Sequence, residues 1–306
     1  MNVLLVCEES AGIQTLRAVA GTTHRIVGVM ASPTRKSNGG GLSAWQLATN
    51  MGFRTWPAKL VTDPAFADVV RAEGVDLLLN VHSLYIIAPE IVGAPRIGSF
   101  NLHPGPLPRY AGLNPVSWAL YRGESTHGVT VHRMEATIDT GPIAYQSLFP
   151  VKESDTALSV WTRCSRQGVR LLLRLMQTAE PIPLVPQDLT KREYFGAEIP
   201  PLDNLFCGRT AKEIINLVRA CDFFPFASPW GNPKARLGNR VIGIVKGSRT
   251  GQQCSCPPGS VGERVSSGVL VASTDEWILL EKLLVDGQLV NGGDVLHSGD
   301  RLEVID

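Results

Sequence analysis

The sequence predicts an α/β protein: a mostly parallel, Rossmann-like sheet flanked by helices, followed by a small antiparallel, OB-like barrel. Three observations predict it. Short runs that are apolar at nearly every residue alternate with helix-length segments over roughly the first hundred residues. A proline-dense stretch then interrupts the chain near residues 180–204. Beyond it, brief β-rich runs follow one another between Gly, Ser and Asp turns.

The elements read as follows, in order. "NVLLVC" at 2–7 and "HRIVGVMA" at 24–31 are β-branched runs separated by room for one helix, and "VDLLLNVHS" at 75–83 and "IGSFNLH" at 97–103 continue the rhythm. Runs without polar alternation are buried on both faces, so the sheet is parallel and covered on both sides. In such sheets ligands sit beyond the carboxyl ends of the strands, where Asn101 and His103 lie. "RKSNGGGLSAW" at 35–45 reads as a loop, either mobile or approached closely by a ligand. The segment 153–177 carries Leu158, Trp161, Leu172, Leu175 and Met176 on a helical stripe, with Ser154 or Asp155 as N-cap, and reads as a long amphipathic helix. The extended connector at 180–204 places a boundary between a catalytic domain at 1–200 and a C-terminal domain at 201–306. The second domain opens with "TAKEIINLVRACD", where Thr210 and Glu213 have capping-box spacing. It continues through "RVIGIVKG", "GVLVAS", "EWILLEKLLVDG" and "RLEVID" as short strands, a pattern that a small antiparallel sandwich would also fit.

Composition narrows the function. The chain has 306 residues, 44% of them hydrophobic, enough for one large or two ordinary domains. Lys plus Arg number 29 against 28 acidic residues, a net charge of +1 with no polybasic run, which favours small or neutral partners over nucleic acid or membrane. The N-terminus enters an apolar strand directly, without the pattern of a secretory signal, so a cytoplasmic location is expected. Of the six cysteines only Cys254 and Cys256 are close, in a C-x-C too tight for the usual zinc knuckle; no metal is expected, and most of the thiols should be free and buried. Between the first strand and helix stands "CEESAGIQTL", with Gly12 alone in place of a G-x-G-x-x-G, which argues against a dinucleotide. No G-x-x-x-x-G-K-[ST] occurs, which argues against phosphoryl transfer from a P-loop.

What remains is "FNLHPGPLPRYAGLNP" at 100–115 together with "HRMEATIDTGPI" at 132–143. An amide N–H of Asn101 can meet a developing oxyanion, His103 can exchange a proton near neutral pH, and Asp139, on a tight turn, can orient that imidazole. With no nucleophile elbow such as G-x-S-x-G, direct attack by an amine on a bound acyl donor is simpler than an acyl-enzyme. On these residues alone, a hydrogen-bonded structural His103 is an equal alternative.

The order N-L-H-P, "GPLPRYAG", "NPVSWAL", "GVTVHRME" and "IDTGPI" resembles the folate-dependent formyltransferases, a group that includes enzymes acting on methionyl-tRNA and on sugar amines and a formyl-folate hydrolase domain. The likeness runs through most of residues 1–200, and "GRTAKEIINLVRACDFFPFASPWGNP" resembles the segment that leads into the small barrel of the tRNA and aminosugar enzymes. The resemblance implies the donor 10-formyltetrahydrofolate and a catalytic set of Asn101, His103 and Asp139, with Asn101 polarising the formyl carbonyl. The loop that lines the folate site, commonly Ser-Leu-Leu-Pro in the family, is here Gly105-Pro106-Leu107-Pro108. Prolines would stiffen it and hold the catalytic pair in register. Leu84, Tyr85 and Ile86 fall in a segment that resembles the second part of the pterin pocket, although apolar packing explains them equally. His132 reads as structural, His82 as open to either role, and Arg109 and Tyr110 as acceptor contacts or ordinary surface.

The near-zero charge favours a small or carrier-bound amine as acceptor, such as an aminosugar, an amino acid or a hydroxylamine, over initiator tRNA, whose phosphates call for a basic face. Methionyl-tRNA stays open as an acceptor, and so does water, which would make the enzyme a hydrolase. A non-catalytic folate-binding protein is a further alternative that the intact Asn, His and Asp disfavour. Oligomeric state is not legible.

Overall fold

The computed structural model describes residues 1–34, 41–177 and 181–305; most of the glycine-rich part of the loop read at 35–45 lies outside them. The chain forms two compact units. One comprises Met1–Pro115, Thr126–Phe149 and Trp161–Gly196, and the other Val116–Ser125, Pro150–Val160 and Ala197–Asp306.

The first unit is built on a seven-stranded sheet of β1 (Asn2–Cys7), β2 (Arg25–Ala31), β3 (Thr55–Pro57), β4 (Leu77–Val81), β5 (Gly98–His103), β7 (Thr126–Arg133) and β8 (Ile143–Pro150). A separate pair joins β6 (Ala111–Gly112) to β9 (Tyr194–Phe195). The large sheet has the order β3-β2-β1-β4-β5-β7-β8 and is parallel through β5, which pairs antiparallel with β7. Five of the six β1 residues are buried, as expected of a strand covered on both faces. The helices α1 (Glu9–Ala20), α2 (Ala44–Asn50), α3 (Phe66–Ala72) and α4 (Pro89–Val92) connect the parallel strands, and one core gathers Leu4, Met30, Phe66, Val70, Leu78 and Ile91. Gly12 lets α1 approach β1, because a Cβ there would lie 2.9 Å from that of Cys7. From β1 the chain turns to β2 on one side, and from β4 to β5 on the other. The crevice beyond Cys7 and Val81 is therefore the switch point at which ligands bind in sheets of this kind.

The second unit contains α5 (Pro115–Tyr121) from Val116 onward, the first turn of α6 (Ala157–Gln177), and α7 (Ala211–Cys221). Thr210 and Glu213 form the expected capping box at the start of α7. Its antiparallel sheet has the order β12 (Val261–Val265), β13 (Gly268–Ala272), β14 (Glu276–Val285), β11 (Arg240–Gln253), β10 (Lys234–Leu237), β16 (Leu302–Glu303), with β15 (Gln288–Asn291) on β14. This is the half-barrel, OB-like arrangement that the short C-terminal runs predict.

Two expectations are corrected. The connector at 180–204 is not simply extended: Val185 bridges Ile143, residues 189–191 form a 3-10 turn, and β9 pairs with β6, so it is hydrogen-bonded to the first unit as far as Phe195. Pairings of two residues leave no periodicity to read. Only Cys7, Cys164 and Cys221 are buried, whereas Cys207 and Cys256 are exposed and Cys254 is half-exposed, because these three fall in loops rather than in packed elements. Among the described residues, no helix is long and apolar enough to cross a membrane.

Candidate active site

The site grows from the end of β5. Residues two apart on a strand share a face, so Asn101 and His103 are presented together. The antiparallel register sets Asn101 opposite His132 of β7 and His103 opposite Thr130. Asp139 arrives from the turn between β7 and β8 with φ +56°, a left-handed conformation that an Asp tolerates better than most residues. That turn is held from outside by Gln187, whose amide donates to the carbonyls of Asp139 at 3.0 Å and Gly141 at 2.6 Å.

Four side chains then meet. The Asn101 amide donates to His132 Nε2 at 3.1 Å and to Asp139 Oδ1 at 3.4 Å. His103 Nδ1 lies 3.4 Å from Asp139 Oδ2, and His132 Nε2 lies 3.3 Å from Asp139 Oδ1. The backbone N–H of Gly112 donates to Asp139 Oδ2 at 2.8 Å. Carbonyl acceptors assign the tautomers: His103 Nε2 faces the Tyr110 carbonyl at 2.7 Å and His132 Nδ1 faces that of Arg133 at 2.9 Å, so these nitrogens carry the hydrogens. The neutral His103 ring thus keeps its lone pair on Nδ1, toward Asp139.

The electrostatics match this state. Burial pushes the His103 pKa below its ordinary value, against the opposing pull of Asp139 and the Tyr110 carbonyl, so the ring is a neutral base at neutral pH. Burial alone would raise Asp139, but the charge that His103 carries when protonated, the contact with His132 and the Gly112 N–H hold its carboxyl well below the usual carboxylate range. The pair is a neutral imidazole beside a fixed negative charge, ready to accept one proton on Nδ1.

The loop after His103 is fixed by its neighbours. Thr130 Oγ1 donates to the Gly105 carbonyl at 2.7 Å and accepts from the Leu107 N–H at 3.2 Å. Gln146 donates to the Leu107 carbonyl, and His127 Nε2 donates to that of Pro104, both at 2.9 Å. Gly105 is required where it stands, since a Cβ there would lie 2.7 Å from His103 Nε2 and 3.0 Å from the Tyr110 carbonyl oxygen.

The model of one protein family, formyl transferase, matches residues 6–176, more than half of the chain. The chain belongs to the formyl transferase family. It is accordingly a formyl-transferring enzyme. Methionyl-tRNA formyltransferase of Thermosynechococcus vestitus is 27% identical over 322 residues, spanning 99% of this chain and 97% of that protein. The enzyme of the same name from Chlorobium luteolum is 29% identical over 320 residues, spanning 99% and 98%. Among solved structures, the N-formyltransferase from Helicobacter canadensis in complex with folinic acid and dTDP-3-aminofucose shares the fold, with a TM-score of 0.68 at 19% identity over 91% of this chain and 98% of that one.

Within this formyl transferase the sequence-predicted residues divide. Asn101, His103 and Asp139 come together. Of the predicted folate loop, Gly105 and Leu107 are buried in the packing, while Pro106 and Pro108 are half-buried. Leu84, Tyr85 and Ile86 lie on the loop after β4, the strand beside Asn101, and are exposed, Ile86 by 76%. Tyr110 turns inward rather than to an acceptor, whereas Arg109 stays on the surface, the ordinary solvated alternative. Tyr110 is buried and stacked on Phe195 at 5.5 Å, and Arg109 pairs with Glu193 at 3.2 Å. Sequence reasoning missed His132, Gly112 and Gln187 as the groups that orient Asn101 and Asp139. Only His132 left a signal, its position opposite Asn101 once the two strands are paired.

Proposed function

We propose that this enzyme moves the formyl group of 10-formyltetrahydrofolate to the amine of a small or carrier-bound acceptor by direct attack. The observation that carries the reading is the Asn101–His103–Asp139 cluster, with His103 Nδ1 and Asn101 Nδ2 both within 3.4 Å of one carboxylate. As the amine nitrogen bonds to the formyl carbon, the carbonyl oxygen gains charge, and Asn101 meets it with the N–H now in the longer contact to Asp139. The amine proton passes to His103 Nδ1; the resulting imidazolium has Asp139 on one side and the Tyr110 carbonyl on the other, so both N–H groups are satisfied. The same proton then goes to the departing N10 of the folate, which restores the neutral ring.

The chain's own residues fit a pterin-bearing donor. Leu84, Tyr85 and Ile86 expose apolar surface at the carboxyl end of the strand next to Asn101, and Pro106 and Pro108 add rigid apolar edges. A net charge of +1 supports a small acceptor. Methionyl-tRNA is the second reading, supported by relatives of that name aligned over 99% of the chain. Mass spectrometry of products formed from 10-formyltetrahydrofolate with aminosugars, amino acids, hydroxylamines and charged methionyl-tRNA separates the two. A formylated small amine is expected, and saturable formylation of the tRNA alone at ordinary enzyme levels would overturn the small-acceptor reading.

A further inference from the structure

The switch-point crevice holds a cluster that the catalytic set does not use. The Glu8 N–H donates to the Val81 carbonyl at 3.1 Å and ties the end of β1 to the end of β4. On this junction stand Glu9, first in α1, and His82, first after β4. The His82 imidazole is tilted against the Trp161 ring at 4.7 Å between centroids, and its Nδ1 lies 3.6 Å from Glu9 Oε2. Both ring nitrogens are shielded from solvent and make no hydrogen bond. Glu9 and His82 also hold left-handed backbones, φ +58° and +63°, conformations that such residues adopt at a cost and that gather at working sites. His82 follows β4, the strand paired with the Asn101 end of β5.

Ring nitrogens shielded from water and without a hydrogen bond are an unmet cost unless a ligand supplies the missing bonds. The two ring nitrogens of His82 offer hydrogen-bonding positions, and Glu9 adds a negative charge. A phosphate beside His82 would meet the Glu9 carboxylate, 3.6 Å from the ring, and like charges disfavour it there. An ammonium or hydroxyl group finds complementary partners in both side chains, with Trp161 as a wall that also favours a cation.

We propose that His82 and Glu9 form the acceptor subsite, holding an ammonium or hydroxyl group of the amine substrate and excluding phosphate. This rests on the formyl-transfer reading above. The test is NMR of the full chain with isotope-labelled histidine, saturated with folinic acid, the His82 ring signal being assigned through His82→Gln. Glucosamine, L-ornithine, methionine methyl ester and inorganic phosphate are titrated separately. At least one amine is expected to shift the His82 signal saturably, with affinity weakened about tenfold or more in Glu9→Gln, while phosphate leaves the signal in place. Silence of His82 toward all three amines, an equal response to phosphate, or undiminished affinity in Glu9→Gln would overturn the subsite. Turnover of 10-formyltetrahydrofolate by the same wild-type sample is followed in parallel: turnover beside a silent His82 sinks the subsite alone, and its absence under every condition sinks the formyl-transfer reading.

Discussion

His103 is asked to be buried, neutral and yet basic. Its environment separates those demands: burial removes the charge at rest, and Asp139 and the Tyr110 carbonyl stabilise it once a proton arrives. His103→Asn should therefore lower kcat by about 10²–10⁴-fold, the usual share of a positioned acid–base group, with less effect on folinic acid affinity measured by calorimetry. The acid limb of kcat/KM should fall below the ordinary histidine pKa, since the free-enzyme ring is depressed. A limb above that value would contradict the assignment. Stability follows the same signs. His103 and Asp139 both have folded pKa values below their unfolded ones, so the unfolded chain takes up protons first as pH falls. The melting temperature should begin to drop below about pH 6.5 through His103 and again below about pH 4 through Asp139. His103→Asn should remove the first step and shrink the second, since His103 helps to hold the Asp139 pKa down. Gly105→Ala tests the steric requirement, because its Cβ would press on His103 Nε2; a several-fold lower kcat is expected even where the fold is kept.

At the scale of elements, the site depends on a pairing too short to announce itself. Gly112 has φ +89°, and a Cβ there would fall 2.2 Å from the Phe195 carbonyl oxygen, while its N–H holds Asp139. Gly112→Ala should break the pairing of β6 with β9, destabilise by about 1–3 kcal/mol in denaturant unfolding, and release Asp139 in the same step. By contrast, β1, β2, β4 and β5 were legible because their apolar runs are buried on both faces, and α7 because Thr210 and Glu213 cap it through local sequence. β6 and β9 were not, since two residues carry no period and their partners lie some 80 positions apart, Ala111 against Tyr194. His132 reads as structural from an ordinary strand pattern, and only the register with Asn101 shows which side chains it holds.

For the whole molecule, function and acceptor differ in how far local sequence can fix them. Asn101, His103 and Asp139 were readable as a candidate set because two polar residues end one apolar strand, β5, and the resemblance adds the Asp of the turn after β7. The acceptor was not, because no local motif names it and a fold does not fix its substrate. His82 shows the difference: the sequence leaves it open to either role, and only the fold reveals two shielded, unbonded ring nitrogens. The central claim is that formyl transfer runs through His103. It is tested most directly by tetrahydrofolate release from 10-formyltetrahydrofolate with and without amine acceptors, wild type against His103→Asn. The account predicts release that depends on an amine and is lost in the variant; release that survives the substitution, or that ignores every amine, would contradict it.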